Sequence, residues 1–187
     1  MRKFLAQPSA KYSLVSLLMF GFLAGILSWG GFLMALEATN STQFCIGCHE
    51  MKSTVYQEYK ETVHYTNRTG VRAGCPDCHV PKELGHKMIA KVMASHDLWS
   101  MLIGTINTKE KFEAKRMELA QNQWRKMKAS DSRECRNCHS FEGMNTKKQR
   151  PSAQKKHASA TQEGKTCIDC HKGIAHLLPK EYKEDDE

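Results

Sequence analysis

The chain has 187 residues, a formal net charge of +8 and only 40% hydrophobic residues, and much of that apolar content falls in the first 36 positions. That is enough for one modest domain plus an anchor. The polar, lysine-rich remainder is thin material for an ordinary protein core, and no basic block with interleaved aromatics marks it as a nucleic-acid binder.

The first element is a run of 25 residues without a charge, Tyr12 to Leu36. About 20 helical residues cross a bilayer core of about 30 Å. Arg2, Lys3 and Lys11 precede the run and Glu37 follows it, so residues 1–11 are expected in the cytoplasm and the rest outside. A cleaved signal peptide would have a shorter apolar region and a small-residue cleavage site. The run is too long for that, and Ala35-Leu36-Glu37-Ala38 is a poor site. Residues 12–36 are therefore read as an uncleaved transmembrane signal anchor, with Trp29, Phe32 and Phe44 suited to the outer interface or simply to lipid.

All eight cysteines then fall in four copies of Cys-x-x-Cys-His: Cys45-Cys48-His49, Cys75-Cys78-His79, Cys135-Cys138-His139 and Cys167-Cys170-His171. This is the attachment signature of a c-type haem. Two thioethers hold the porphyrin and the histidine reaches the iron. A zinc ribbon needs two cysteine pairs per metal and no histidine after each. A disulfide framework does not require the fixed gap. Four covalently bound haem c groups are thus expected, and they would supply the missing apolar mass and tie folding to cofactor attachment. Their propionates would offset much of the positive charge. Thioether haem is assembled on the outer side of the bacterial cytoplasmic membrane, which agrees with the anchor's orientation.

The leading cysteines at 45, 75, 135 and 167 are spaced by 30, 60 and 32 residues. The motifs therefore form two pairs, the pattern of two related di-haem units. His64 and His157 stand at matching places, 11 and 10 residues before the second motif of each pair. Both are candidate distal iron ligands, since a low-spin haem takes a second axial ligand, usually histidine or methionine. His176 comes only five residues after His171, too near to reach the opposite face of the same iron, but it can serve a neighbouring haem. His86 and His96 are weaker candidates.

Between the pairs the pattern is helical. One helix is expected over Lys82 to Ile103, and a second from a Thr108 cap through Lys128, carrying Phe112, Leu119, Ala120 and Trp124. On the first, Leu84, Met88, Lys91, Ser95, Leu98 and Leu102 share a face. Lys91 there either snorkels to water or is a buried amine that ligates iron or faces a substrate. Asp97 is either a solvent carboxylate or part of a proton-accepting pocket. No period-two strand pattern stands out. The fold class is mainly α: a single N-terminal transmembrane helix plus a small periplasmic tetrahaem domain, residues 37–178, with haem-wrapping loops, and an acidic tail over 179–187.

Long stretches carry a resemblance beyond the haem motif. They include Trp29-Gly30-Gly31-Phe32, Phe44 to Met51, Val55-Tyr56-Gln57-Glu58-Tyr59, Val63-His64-Tyr65, Gly70 to Pro81, Lys111-Phe112-Glu113-Ala114, Glu134 to His139 and Cys167 to His176. The chain resembles the NapC/NirT family of membrane-anchored tetrahaem quinol dehydrogenases, and within it the NapC branch. The resemblance implies that electrons pass from a membrane quinol, menaquinol or ubiquinol, to a periplasmic reductase or its cytochrome subunit, nitrate reductase foremost. A nitrite or N-oxide reductase is the alternative acceptor. In a related nitrite-reductase partner, the methionine two places after the first motif's histidine binds the first iron; that position is Met51, leaving the choice between His49 and Met51 open. A lysine 12 residues after the second motif's histidine binds the second iron there; that position is Lys91. An acidic residue lines the quinol pocket there, and Asp97 is the nearest match. Several relatives carry a histidine where this chain has Lys82. A multihaem reductase acting directly on a small anion belongs to a different class, and no Cys-x-x-Cys-Lys motif supports it.

Overall fold

The structure, a computed structural model, describes residues 11–160 and 162–183. Arg2, Lys3 and the rest of the expected cytoplasmic segment up to residue 10 lie outside the described residues, as do residues 184–187 of the expected acidic tail. Among the described residues all regular structure is helical. The chain divides at Asn40 and Ser41 into two compact units.

The first unit is helix α1, Leu14–Ala38. Ser13 caps it, its hydroxyl accepting the Ser16 N–H at 3.2 Å. Thr39 ends it, returning both its N–H and its hydroxyl to the Ala35 carbonyl. The caps place the helix two residues later than the uncharged run at both ends, so it starts at Leu14 and takes in Glu37 and Ala38. Its mean hydropathy reaches 1.9 and none of that stretch is buried. At 1.5 Å per residue its length is about 37 Å, enough to cross a hydrocarbon core of about 30 Å. Trp29 and Phe32, one turn apart, stack at 5.6 Å.

The second unit is built from short helices around two long ones. α2 (Thr42–Cys45), α3 (His49–Ser53) and α4 (Val55–Lys60) carry the first motif and the residues directly after it. α5 (Cys75–His79) is the second motif. The long helices are α6 (Leu84–Leu102) and α7 (Lys109–Ala129), the latter capped by Thr108, whose hydroxyl accepts the Lys111 N–H at 3.3 Å. α8 (Arg133–Arg136), a 3₁₀ turn (Thr146–Lys148), α9 (Pro151–Ala160) and α10 (Cys167–Cys170) complete the unit. The expected face of α6 is not a protein core: Leu84, Ser95, Leu98 and Leu102 are exposed, and only Met88 and Lys91 are half-buried. Helical spacing places those side chains on one side of α6, but no protein segment covers it.

Among the described residues the buried apolar side chains are Tyr59, Phe112, Met127 and Ile168. That is far too little burial to hold a domain of this size against its chain entropy. Tyr59 pins the loop ahead of the second motif: its hydroxyl donates to the Ala73 carbonyl, and its ring meets Tyr65 edge-on at 5.2 Å.

The two motif pairs are latched alike. The Thr42 hydroxyl accepts the Cys75 N–H at 3.2 Å, and the Ser132 hydroxyl accepts the Ile168 N–H at 3.1 Å. Each hydroxyl stands three residues before the leading cysteine of its pair. In the second motif of each pair the aspartate caps its own helix: Asp77 accepts the Gly74 N–H and Asp169 the Thr166 N–H, both at 2.8 Å. At Gly74 a Cβ would lie 2.8 Å from the Thr42 hydroxyl oxygen, so the latch needs glycine there. Ser132 is fully buried and, with Asp131, adopts the left-handed conformation, φ 49° and 51°. That conformation is unfavourable for residues other than glycine. Arg136 holds the bend, donating to the Asp131 carbonyl at 2.7 Å and its carboxylate at 2.8 Å.

Candidate functional site

Each motif lies on or beside a short helix, so the two cysteines and the histidine of each copy emerge within about one turn. Three motif histidines each face one other imidazole. His79 and His176 lie 6.2 Å apart between ring centroids, His64 and His139 6.2 Å, and His157 and His171 5.9 Å. A metal–imidazole bond is about 2.0 Å and the nitrogen sits about 1 Å from the ring centre, so two imidazoles across one metal stand about 6 Å apart. Each of the three separations matches what one shared iron would require, and the neighbouring cysteines would hold the porphyrin.

Outer contacts orient these rings in the way metal-binding imidazoles require. His176 Nδ1 donates to the Val55 carbonyl at 3.2 Å, and His157 Nδ1 meets Gln149 Oε1 at 2.8 Å. Each leaves Nε2 for a metal. His64 Nδ1 is buried with no hydrogen-bond partner. Protein atoms crowd His79 even though its ring is open to a pocket. That crowding, with repulsion from a protonated His176 as a smaller cause, pushes its pKa down to about 4, against a raising hydrogen bond with Gln123. Burial and the neighbouring histidines likewise lower His171, and burial lowers His176. These rings are therefore neutral near pH 7, the form that binds metal.

The pocket is lined by residues that include Cys45, Met51, Tyr59, Cys75, His79 and His176. It joins the first two motifs. The Cys45 thiol hydrogen-bonds to Cys75, which pushes Cys45 up and holds Cys75 down to about 6. Cys78 is raised chiefly by burial and also feels Cys135 and Cys138, while Cys135 feels Cys167. Successive motifs touch in chain order: Thr42 ahead of the first meets Cys75 of the second, α5 packs on α8, and Ser132 ahead of the third meets Ile168 of the fourth.

Met51 lines the pocket, whereas the exposed His49 is held by Glu50, Nδ1 to Oε1 at 3.0 Å. The position across from His79 is taken by His176. Lys91 Nζ lies 6.0 Å from the ring centre of Phe44, beside the first motif, and bears electrostatically on Cys45. Asp97 is exposed, with His96 Nδ1 3.8 Å from its carboxylate. His86 and Lys82 are exposed on and before the start of α6. The spacing rules gave no sign of Glu58 and Arg116, which pair with each other and with Leu177 beside His176, because these partners are distant in sequence. Glu58 lay inside one of the matching stretches but had no chemical signal of its own.

The model of the NapC/NirT cytochrome c family, N-terminal region, matches residues 7–181. The Denitrification system component NirT of Stutzerimonas stutzeri is 60% identical over 98% of this chain and 91% of its own length. The Cytochrome c-type protein NapC of Escherichia coli K12 is 56% identical over 91% of this chain and 85% of its own. A putative tetraheme cytochrome of Allochromatium vinosum is 45% identical over 97% of both. No solved structure matches the chain. The chain belongs to the NapC/NirT cytochrome c family, as an electron-transfer cytochrome with four covalently bound haem c groups and a single N-terminal helix fit to anchor it in a membrane.

Proposed function

We propose that the protein oxidises quinol at the outer surface of the bacterial cytoplasmic membrane and delivers the electrons to a periplasmic reductase, nitrate reductase first. The carrying observation is the chain-ordered contact of the four motifs, through Thr42 and Cys75, through α5 and α8, and through Ser132 and Ile168. Six residues of chain lie between the end of α1 at Ala38 and Cys45. A line of redox groups starting that close to the anchor suits electron entry from the bilayer. The haems, when bound, supply one-electron carriers whose potentials depend on their ligands and surroundings.

In this reading His79 with His176, His139 with His64, and His171 with His157 are axial pairs, and Met51 ligates the first iron. Lys91 and Asp97 shape the quinol site. A quinol releases two protons with its two electrons, so a base must stand at its hydroxyls. Asp97 accepts a proton, and its exposed carboxylate passes it to water directly or through His96. The Lys91 ammonium, beside Phe44 and Cys45, orients the quinol head group by hydrogen bonding. In this reading the far side of the second iron belongs to His176, whose ring stands 6.2 Å from that of His79, and not to Lys91. The anchor's basic flank stays in the cytoplasm and the haem domain lies in the periplasm.

A second acceptor is favoured by a specific observation: the NirT relative is named as a denitrification component, which fits donation to a nitrite reductase. The test is reconstitution of the purified holoprotein in liposomes with menaquinol or ubiquinol, with nitrate or nitrite reductase added outside. Quinol-driven reduction of one enzyme and not the other assigns the acceptor. Failure of either quinol to reduce the cytochrome overturns the proposal.

A further inference from the structure

The pair Glu58–Arg116 has no part in quinol oxidation, yet it is the most enclosed ion pair between distant parts of the second unit, with side chains 15% and 12% exposed. Arg116 Nη1 donates to Glu58 Oε1 at 2.8 Å and Nη2 donates to Oε2, a two-pronged contact between α4 and α7. Glu113, one turn earlier on α7, braces the same guanidinium at 3.1 Å. Both partners also reach a third segment. Glu58 Oε2 accepts the Leu177 N–H at 2.9 Å, and Arg116 Nη2 donates to the Leu177 carbonyl at 2.8 Å. The two polar groups of one exposed residue are thus gripped by two side chains.

Leu177 is the residue directly after His176. The same helix α4 supplies the Val55 carbonyl that receives His176 Nδ1–H at 3.2 Å. α4 therefore fixes both the ring and the next peptide, and α7 holds α4 and that peptide together. The loop after His171 turns at Gly173, φ +72°, and its other tie is weaker: Lys172 Nζ lies 5.3 Å from the Trp124 ring centre and 5.6 Å from that of Tyr182. An exposed ion pair would count for little. This one is mostly enclosed, bidentate and charge-assisted at every contact, the arrangement that gives geometric specificity.

We infer that Glu58 and Arg116 are positioning residues that clamp Leu177 and so hold His176 on the iron across from His79. The inference rests on the proposed axial pair of His79 and His176. Loss of an outer partner of a metal ligand weakens the ligand's hold by about 10–100-fold.

The test uses carbon monoxide, which enters a ferrous haem only when an axial ligand leaves. Detergent-purified, dithionite-reduced holoprotein is mixed with CO for wild type, His176→Ala, Arg116→Ala, Arg116→Lys, Glu58→Gln and Glu113→Gln, with four attached haems verified in each. His176→Ala is expected to open one haem more than wild type. Arg116→Ala is expected to raise the CO association rate at that same haem by about 10–100-fold, Arg116→Lys and Glu58→Gln by less, and Glu113→Gln least. A wild-type rate in both Glu58→Gln and Arg116→Lys, with His176→Ala open, overturns the clamp and leaves the ligand pair standing. An equal rise at all the haems also overturns it, since that reports general loosening. If His176→Ala opens no haem, the ligand reading itself has failed. Should Arg116→Ala not accumulate, the isosteric Glu58→Gln decides.

Discussion

His79 and His176 stand 6.2 Å apart with their planes inclined by 33°, although 97 residues separate them in the chain. His176→Ala is expected to turn one low-spin haem high-spin and leave the other three unchanged. All four haems stay attached, because Cys75 and Cys78 are intact. Electron paramagnetic resonance, with a haem count by pyridine haemochrome, checks this. The exposed His86 is the control, and His86→Ala is expected to leave every haem signal as in wild type.

Met51 and His49 are separable by the same spectroscopy. Met51→Ala is expected to change the first haem alone, since Met51 lines the pocket and His49 is held outward by Glu50. Unaltered spectra in Met51→Ala, with altered ones in His49→Ala, would reverse that assignment.

At the quinol site, Lys91→Gln is expected to slow reduction by a menaquinol analogue by about 10-fold or more, the scale set by one lost positioning or acid–base contact. Electron exchange with a soluble reductant is expected to stay unchanged, which separates quinol entry from the rest of the chain of haems. Stopped-flow reduction by the two donors measures both.

Ser132→Ala leaves the Ile168 N–H without an acceptor at a fully buried position. The expected loss is about 1–3 kcal/mol of stability, read from denaturant unfolding of the holoprotein. Gly74→Ala is expected to act at the matching latch by pushing Thr42 off the Cys75 N–H.

Burial alone would raise the Glu58 carboxyl, but the Arg116 guanidinium and the Leu177 N–H outweigh it and hold the pKa below its ordinary 4.5. A depressed carboxylate adds stability that is fully present above about pH 4.5 and is lost as pH falls through the lower folded value. Acid unfolding of wild type is therefore expected to steepen below pH 4.5. Glu58→Gln is expected to be less stable at pH 7 and to lack that part of the acid limb, as monitored by far-ultraviolet circular dichroism.

The elements that depend on local chemistry were legible in the sequence. An uncharged run of 25 residues became α1, Thr108 became the cap of α7, and the spacing of the motifs anticipated the paired latches. Whatever depends on distant contacts was not. Equal spacing made His64 and His157 look alike, yet His157 meets the motif of its own pair while His64 crosses to His139 in the other. No periodicity encodes the left-handed turn at Asp131 and Ser132, or the grip of Glu58 and Arg116 on Leu177. Helical spacing put Lys91 on a shared face of α6 and left open whether it reaches water or is buried; it is half-buried, and most of that face is exposed.

Under the proposed axial pairs, His64 and His176 would each serve an iron of the other half. His176 stands 97 residues after His79, so the second iron would complete its coordination only when nearly the whole domain has been exported. During that wait the histidines nearest downstream are His86 and His96, on the exposed side of α6. Such an exchange would make the two halves indivisible: neither could be cut away as a self-sufficient di-haem module, because each would keep an imidazole that the other lacks.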